Sequence, residues 1–439
     1  MSHPRGPLSQ LRRGHEELVL ELLRKHGPLS RGELGKHCGL SRTTLYDILA
    51  ELVSSGAVVA ASQQDGPRGR GRPAETLTLN PDAGQAIGID FARRGLHVAA
   101  VNLAHEIVGT ASEPHAAGLP WEQRAELAWR LVRTLTGGGL ELGALSAIGV
   151  GVVGPVGPPL DPEAEAEAHA ENDPASGPED EVPHPVQLLL RERFGVPVLL
   201  DNNTRLAALG ESIWGAAAGG QDVLYLRLSH GVGGGLVVGG SLHRGAYGLS
   251  GEFGHITVDQ DGAPCDCGGT GCLETVASIR AVLESYRAAG GRAEDVPELV
   301  KATRAGDAPA LAVLAEVGAA IGHVLAAVCN AIGPSVIVIG GELAETGAAL
   351  IEPIERALGA QVMPVSRHRV SLRRATLGEV AGALGGIALV LHESPLLSRY
   401  PAGPDLAPGL LRQEDPMNQS RHVTARGAAT DGRTAKEGS

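Results

Sequence analysis

The sequence predicts an α/β protein behind a small winged helical head, and three observations predict it. The first eighty residues read as helices followed by a short hairpin. From about Pro81, apolar strand-like runs alternate with helical patterns and end repeatedly in glycine turns. The chain has 439 residues, 43% of them hydrophobic, with 62 glycines, which suits two or three loop-rich globular domains. The expected division is 1–80 for the head, 81–395 for the α/β body and 396–439 for a disordered tail.

Several broad classes are excluded at this stage. No apolar run approaches the ~20 residues that cross a bilayer, so no membrane partner is expected. The start, "MSHPRGPLSQLRRGHEE", has neither the apolar core nor the small-residue cleavage site of a signal peptide. Five cysteines, three of them between Cys265 and Cys272, fit a reducing compartment and a metal site better than a disulfide framework. A cytoplasmic location is the expectation. The net charge of −13 is uneven: residues 1–80 carry 11 Lys+Arg against 8 Asp+Glu, and the remainder carries 26 against 42. A mildly basic head on an acidic body directs nucleic acid to the head alone.

The head's elements follow in order. "HEELVLELLRKHG" places Leu18, Leu22 and Leu23 on one helical face, and Gly27-Pro28 ends that helix. Ser30 with Glu33 forms a capping box for a short second helix reaching about Cys38. Gly39 turns the chain, and Ser41 caps a third helix with Leu45, Leu49 and Leu52 inward. Helix, short helix, glycine turn and helix is the helix-turn-helix order, in which the N-terminus of the last helix enters the major groove. Ser41, Arg42, Thr43, Thr44 and Tyr46 are therefore the candidate DNA-contacting residues. "AVVAASQ" and "ETLTLN" read as a two-stranded wing around "QDGPRGRGRP". Arg68, Arg70 and Arg72 on that loop can reach phosphates or a narrow minor groove; a solvated hairpin tip is the alternative, and the adjoining helix-turn-helix favours DNA.

In the body, "QAIGIDFARRGLHVAAVNLAHEIV" reads as strands joined by a tight turn, and "ALSAIGVGVVGPVG" as a buried strand ending in Gly/Pro. "DVLYLRLSHGVGGGLVVGGSLHRG" is a further hairpin and "PSVIVIGGELAETG" a strand–glycine–helix junction. Such turns suit folds that hold a phosphate or sugar between lobes. Residues 160–183 carry nine Asp/Glu and no Lys or Arg, the composition of a solvated flexible loop. No internal repeat of 20–50 residues is legible.

The strongest chemical signal is "GEFGHITVDQDGAPCDCGGTGCLE". His255, Cys265, Cys267 and Cys272 stand as H-x9-C-x-C-x4-C. Four N/S donors in so short a stretch suit a closed tetrahedral zinc site, structural because no coordination position remains open.

With those residues the chain resembles the ROK family of repressors, open reading frames and sugar kinases, over about residues 13–390. The motif "GEFGH", the cysteine cluster and "GCLE" match that family's signature, and the winged head resembles its repressor branch. The resemblance implies an actin-like ATPase (ribonuclease H-like) domain of two lobes. It also implies that Glu252, His255 and Glu274 contact sugar hydroxyls, with His255 shared with zinc. Carboxylates and an imidazole form directional, charge-assisted hydrogen bonds to a polyol.

Kinases of the family resemble D-x-G-G-T at the first phosphate turn, where this chain has Asp90-Phe91-Ala92-Arg93-Arg94. The second turn is "SHGVGGG", with His230 at a Thr position. The kinase base is an Asp after an Asn; aligning "LLDNNTRLAALGE" places Asn202 at the Asn and Asn203 at the Asp. An amide cannot take the sugar hydroxyl proton as a carboxylate can. Asp201 is one residue early and points elsewhere if the strand continues to it. The family's sugar-contacting Asn–Trp loop is replaced by the acidic segment.

The expectation is a DNA-binding transcriptional regulator, a repressor of carbohydrate-related genes. A sugar or sugar derivative would bind near Asn202, Asn203, Glu252, His255 and Glu274, and a homodimer or homotetramer would bind a palindromic operator. Two alternatives stand: a bifunctional sugar kinase with a DNA-binding head, and a ligand-independent DNA-binding protein with a vestigial cleft.

Overall fold

A computed structural model describes residues 7–54, 56–61, 76–80, 85–102, 106–135, 145–154, 156 and 184–393. Arg68, Arg70 and Arg72, the acidic segment 160–183 and the tail from 396 lie outside the described residues.

The head contains α1 (Pro7–His26), β1 (Leu29–Ser30), α2 (Arg31–Cys38), α3 (Arg42–Ser54), β2 (Val58–Ala61) and β3 (Thr76–Leu79). The capping box forms as expected: Ser30 Oγ accepts the Glu33 N–H, and the Glu33 carboxylate accepts the Ser30 N–H at 2.8 Å. Gly39 takes the left-handed conformation, φ 65°, that ends α2. Leu45, Ile48, Leu49 and Leu52 of α3 are buried, so Ile48 joins the expected three. On α1 the buried face is Val19, Leu20 and Leu23, with Leu18 and Leu22 half-buried. The stripe is rotated from the expected one because it meets Leu34 and the α3 leucines of the same core. The wing has three strands, not two: β1 pairs with β3 through Leu29↔Leu77, and β2 pairs with β3 from the other side.

The body is built on two sheets of five strands with one wiring. The first joins β4 (Gln85–Phe91), β5 (Gly95–Asn102), β6 (Ile107–Pro114), β7 (Leu145–Val152) and β8 (Val198–Asn202) in the order β6-β5-β4-β7-β8. The β4–β5–β6 meander is antiparallel, while β7 and β8 extend it in parallel. Helices α4 (Trp121–Leu135) and α5 (Pro185–Phe194) cover its outer face, sealed by Ile87, Ile89, Phe91, Ile148 and Val150. The chain then enters α6 (Asn203–Ile213).

The second sheet uses β9 (Val223–Leu228), β10 (Val232–Val238), β11 (Ser241–His243), β12 (Val336–Gly340) and β13 (Ser371–Arg374) in the order β11-β10-β9-β12-β13. Again the first three strands are antiparallel and the last two parallel. The repeat absent from the sequence is thus present as topology, over spans longer than the 20–50 residues of a short sequence repeat. Helices α7 (Glu274–Ala277), α8 (Ile279–Ala288), α9 (Val296–Arg304), α10 (Ala308–Ile332) and α11 (Ala348–Gln361) share the apolar core on one side of this sheet. Against expectation, α10 is long and apolar enough to cross a bilayer, with a mean hydropathy of 2.0 over its best window. More than half of that window is buried, against α11 among other elements, as for a core helix.

α6 and α12 (Ala381–Glu393) lie back to back between the sheets. α12 runs so close over the first sheet that a Cβ on Gly88 would stand 1.8 Å from the Ala383 carbonyl oxygen. A Cβ on Gly385 would stand 1.7 Å from the Leu206 carbonyl oxygen of α6. Glycine is required at both by backbone proximity.

Candidate ligand cleft and metal centre

The corner Asp201-Asn202-Asn203 sits at the C-terminal end of a parallel strand, since β8 ends at Asn202 and α6 begins at Asn203. Asp201 is 1% exposed and is an ion-pair hub. Arg205 Nε donates to it at 2.7 Å, the Arg244 guanidinium donates to its second oxygen, and the Asn202 N–H donates at 2.7 Å. Arg205, equally buried, also donates to the carbonyls of Gly248 and Val156. Asp201 therefore does point elsewhere. Asn202 is the N-cap of α6: its side-chain oxygen accepts the N–H groups of Thr204 and Arg205 at 2.9 and 3.1 Å. Its amide nitrogen donates to the Gly154 carbonyl at 2.8 Å, tying the end of β7 to the start of α6.

Asn203 is 4% exposed, and its amide donates to the Asp90 carboxylate at 3.1 Å. Asp90, at the end of β4, is 1% exposed. Burial pushes its carboxyl above the usual carboxylate range, while Arg227, His97 and the Asn203 bond pull the other way without cancelling the effect. Arg227 comes from β9 of the second sheet. Burial works against its charge, but Tyr225, Asp90, Glu342 and Glu379 together raise its pKa. The two sheets are thus joined electrostatically at the floor of the cleft.

The cysteine loop brings His255, Cys265, Cys267 and Cys272 together, their ligand atoms all within 4.8 Å of one another. Cys267 and Cys272 sulfurs are 3.7 Å apart, and His255 Nδ1 is 3.6 Å from Cys265 Sγ. A tetrahedral ion with metal–sulfur bonds of ~2.3 Å and metal–nitrogen bonds of ~2.0 Å needs edges of about 3.8 and 3.5 Å, so the donor set fits a metal ion. Burial, followed by the neighbouring sulfurs, pushes the Cys272 thiol up to about 12, the cost that a coordinated cation removes. Gly271, φ 63°, passes Asp259 so closely that a Cβ would lie 1.5 Å from its carbonyl oxygen.

His255 presents Nδ1 to the sulfurs, while Nε2 lies 4.0 Å from Glu252 Oε2. Glu252 precedes, and His255 ends, a short 3-10 turn, Phe253–His255, whose Phe253 is buried in the core of the second sheet. Glu274 opens α7 directly after Cys272-Leu273, and its carboxylate accepts the Val232 N–H at 2.7 Å. The metal loop is thereby hooked onto the β9–β10 turn that carries His230.

The ROK family profile matches residues 86–393, and a winged helix-turn-helix DNA-binding profile matches residues 13–59. The chain belongs to the ROK family. It is 39% identical over 224 residues to a glucokinase of Halalkalibacterium halodurans, covering 48% of this chain and 68% of that protein. It is 26% identical over 378 residues to a xylose repressor of Bacillus spizizenii, covering 86% of this chain and 95% of the repressor. The crystal structure of a ROK family transcriptional regulator, a homologue of the Escherichia coli Mlc protein, superposes with a TM-score of 0.71. That match is 24% identical and covers 88% of this chain and 98% of the other. The two-lobed α/β body therefore has the actin-like ROK fold, and the proteins that match this chain over most of their length include a xylose repressor.

Within the ROK body, Phe91 at the first phosphate-turn position is buried and packs edge-on against Trp121 at 5.6 Å. Arg93, Arg94 and His230 are exposed. In the head, Ser41 Oγ accepts the Thr44 N–H at 3.1 Å and pairs with its hydroxyl at 2.8 Å, so these two set the start of α3. Arg42 and Thr43 are exposed, and Tyr46 is 63% exposed beneath the Arg31 guanidinium, 5.7 Å from the ring centre. The sequence reading missed Arg205, Arg244 and Arg227. Arg205 was legible in principle, four residues after Asp201 at the start of a helix; the other two come from β9 and from the segment after β11 and carried no local signal.

Proposed function

We propose that this ROK chain is a sequence-specific transcriptional regulator, a repressor of carbohydrate-related genes, whose cleft binds a sugar or sugar derivative without phosphorylating it. The carrying observation is the Asn203–Asp90 hydrogen bond: the position where family kinases resemble an Asp base holds a buried amide already committed to a carboxylate. Asn202, Asn203, Glu252, His255 and Glu274 are the proposed sugar-contacting set. His255, Cys265, Cys267 and Cys272 would hold structural zinc, the ion whose tetrahedral N/S chemistry matches that donor set. Zinc would brace the loop carrying Glu252 and His255 and supply no step of a reaction.

Ser41, Arg42, Thr43, Thr44 and Tyr46, with Arg68, Arg70 and Arg72 of the wing loop, are the proposed DNA contacts. The head at 1–80 would work as part of a homodimer or homotetramer on a palindromic operator, in the cytoplasm and on the nucleoid when DNA-bound. Sugar binding must favour one state of the protein to release DNA; a ~100-fold preference corresponds to about 3 kcal/mol of coupling. An operator-binding assay at fixed salt, with and without candidate sugars, tests this, and the absence of any sequence-specific complex sinks it.

The similarity to a glucokinase over 224 residues favours a second reading, a kinase with a DNA-binding head. Sugar-dependent ATP turnover by the purified chain decides for it.

A further inference from the structure

Glu252, a proposed sugar contact, is reached through a strap of residues 244–251 that leaves β11 of the second sheet. Gly245 and Gly248 take the left-handed conformation, φ 73° and 71°, and Ala246, Tyr247 and Leu249 are exposed. Inside the strap, the Ser250 N–H donates to the Arg244 carbonyl at 3.1 Å. A segment with such glycines and so little apolar burial does not fix its own shape, because many backbone conformations lie close in free energy. Its anchors lie on other elements.

Two guanidiniums on Asp201 supply them. Arg244 donates to one Asp201 oxygen and so holds the strap's first residue. Arg205, in the first turn of α6, donates its Nε to the other oxygen at 2.7 Å and its Nη1 to the Gly248 carbonyl, midway along the strap. Its Nη2 donates to the Val156 carbonyl, beyond β7, at 2.9 Å. Three nitrogens of one guanidinium thus join three chain segments, and the residue is 1% exposed. A buried charge is costly unless its donors are answered; a planar fork reaches several acceptors, where an ammonium carries all its donors on one atom. The Arg205 main-chain N–H also donates to the Asn202 side-chain oxygen at 3.1 Å. One residue therefore orients a proposed sugar contact at the β8 corner and supports the strap that leads to Glu252. Resting on the sugar reading of the cleft, we infer that Arg205 is a positioning residue. Shut off from any ligand itself, it sets Asn202 on the first sheet's side against Glu252 and His255 on the second's.

Amide exchange and calorimetric titration of the full chain carrying Arg205→Lys test this, with xylose, glucose and N-acetylglucosamine as probes. The Ser250 and Phe253 N–H groups donate to the Arg244 and Gly251 carbonyls at 3.1 and 2.8 Å. Both amides are expected to exchange about tenfold faster in the variant, while the β9 amides keep their wild-type rates. Each sugar that binds the wild type is expected to bind the variant about tenfold more weakly. A general loss of stability would speed the strap and β9 amides together, so the split between them separates positioning from a merely structural role. Arg244→Gln, at a half-buried tether of the same strap, gives a second reading should Arg205→Lys not fold: Ser250 exchange rises there too. Unchanged strap exchange, or a loosened strap with unchanged sugar affinity, overturns the inference. No binding of any of the three sugars to the wild type counts against the sugar reading instead; in that case a loosened strap supports the Arg205 tether and an unchanged one overturns it.

Discussion

The side-chain amide of Asn203 donates to the carboxylate of Asp90 across 3.1 Å, and both groups are closed off from solvent. The bond joins the end of β4 to the first residue of α6, and it needs an N–H donor on the Asn203 side and an acceptor oxygen on the Asp90 side.

Asn203→Asp places two carboxylates in that contact. They cannot both remain ionised in a buried site. The expected outcome is a loss of about 1–3 kcal/mol at neutral pH by denaturant melts, with no sugar-dependent ATP turnover. Turnover by this variant would show that a single amide is all that separates the chain from a kinase.

Asp90 itself gives a pH signature. Its folded pKa lies above the ordinary 3.8, so the folded state holds the proton more tightly than the unfolded one. That contribution is complete below the ordinary value and is lost as the pH rises through the native one. Asp90→Asn keeps an acceptor for the Asn203 amide and removes the titration. The stability of the variant relative to wild type rises from acidic toward neutral pH, read from urea midpoints; a constant difference across that range contradicts the assignment.

Cys272→Ser removes one sulfur from the proposed metal-holding His/Cys cluster. Metal analysis is expected to fall from one ion per chain to well below one, with a lower melting temperature. Because the loop is hooked through Glu274 to the Val232 N–H, amide exchange at Val232 speeds up too. Full metal content in the variant removes Cys272 from the ligand set.

Arg42→Ala and Tyr46→Ala act on exposed positions of α3. Each is expected to weaken operator binding by about 1–3 kcal/mol and leave the melting temperature unchanged. Arg70→Ala on the wing loop is expected to lower the salt slope of binding by about one. Operator affinity unmoved by all three redirects the DNA contacts to another face of the head.

What was legible in the sequence was local. The Ser30–Glu33 box, the Gly39 turn and the α3 leucines depend on neighbours three or four residues apart, and all form. The His255/Cys265/Cys267/Cys272 cluster was legible because its donors fall within one loop. The α1 face was misjudged because its register is set by α2 and α3, which no periodicity within α1 contains. Asn203 could be aligned to a motif, but its partner Asp90 lies 113 residues away in sequence. Arg227 and Arg244 were invisible for the same reason: their meaning depends on which strands become neighbours.

α6 and α12 each follow the fifth strand of their own sheet, and they meet where Gly210 and Gly385 bring backbone against backbone. A Cβ on Gly210 would stand 2.6 Å from the Ala381 carbonyl oxygen. Leu206, Leu209, Leu384 and Ile387 of the two helices pack in one core around this glycine contact. A methyl group at either glycine would act as a wedge that forces the two helices, and with them the two halves of the body, apart.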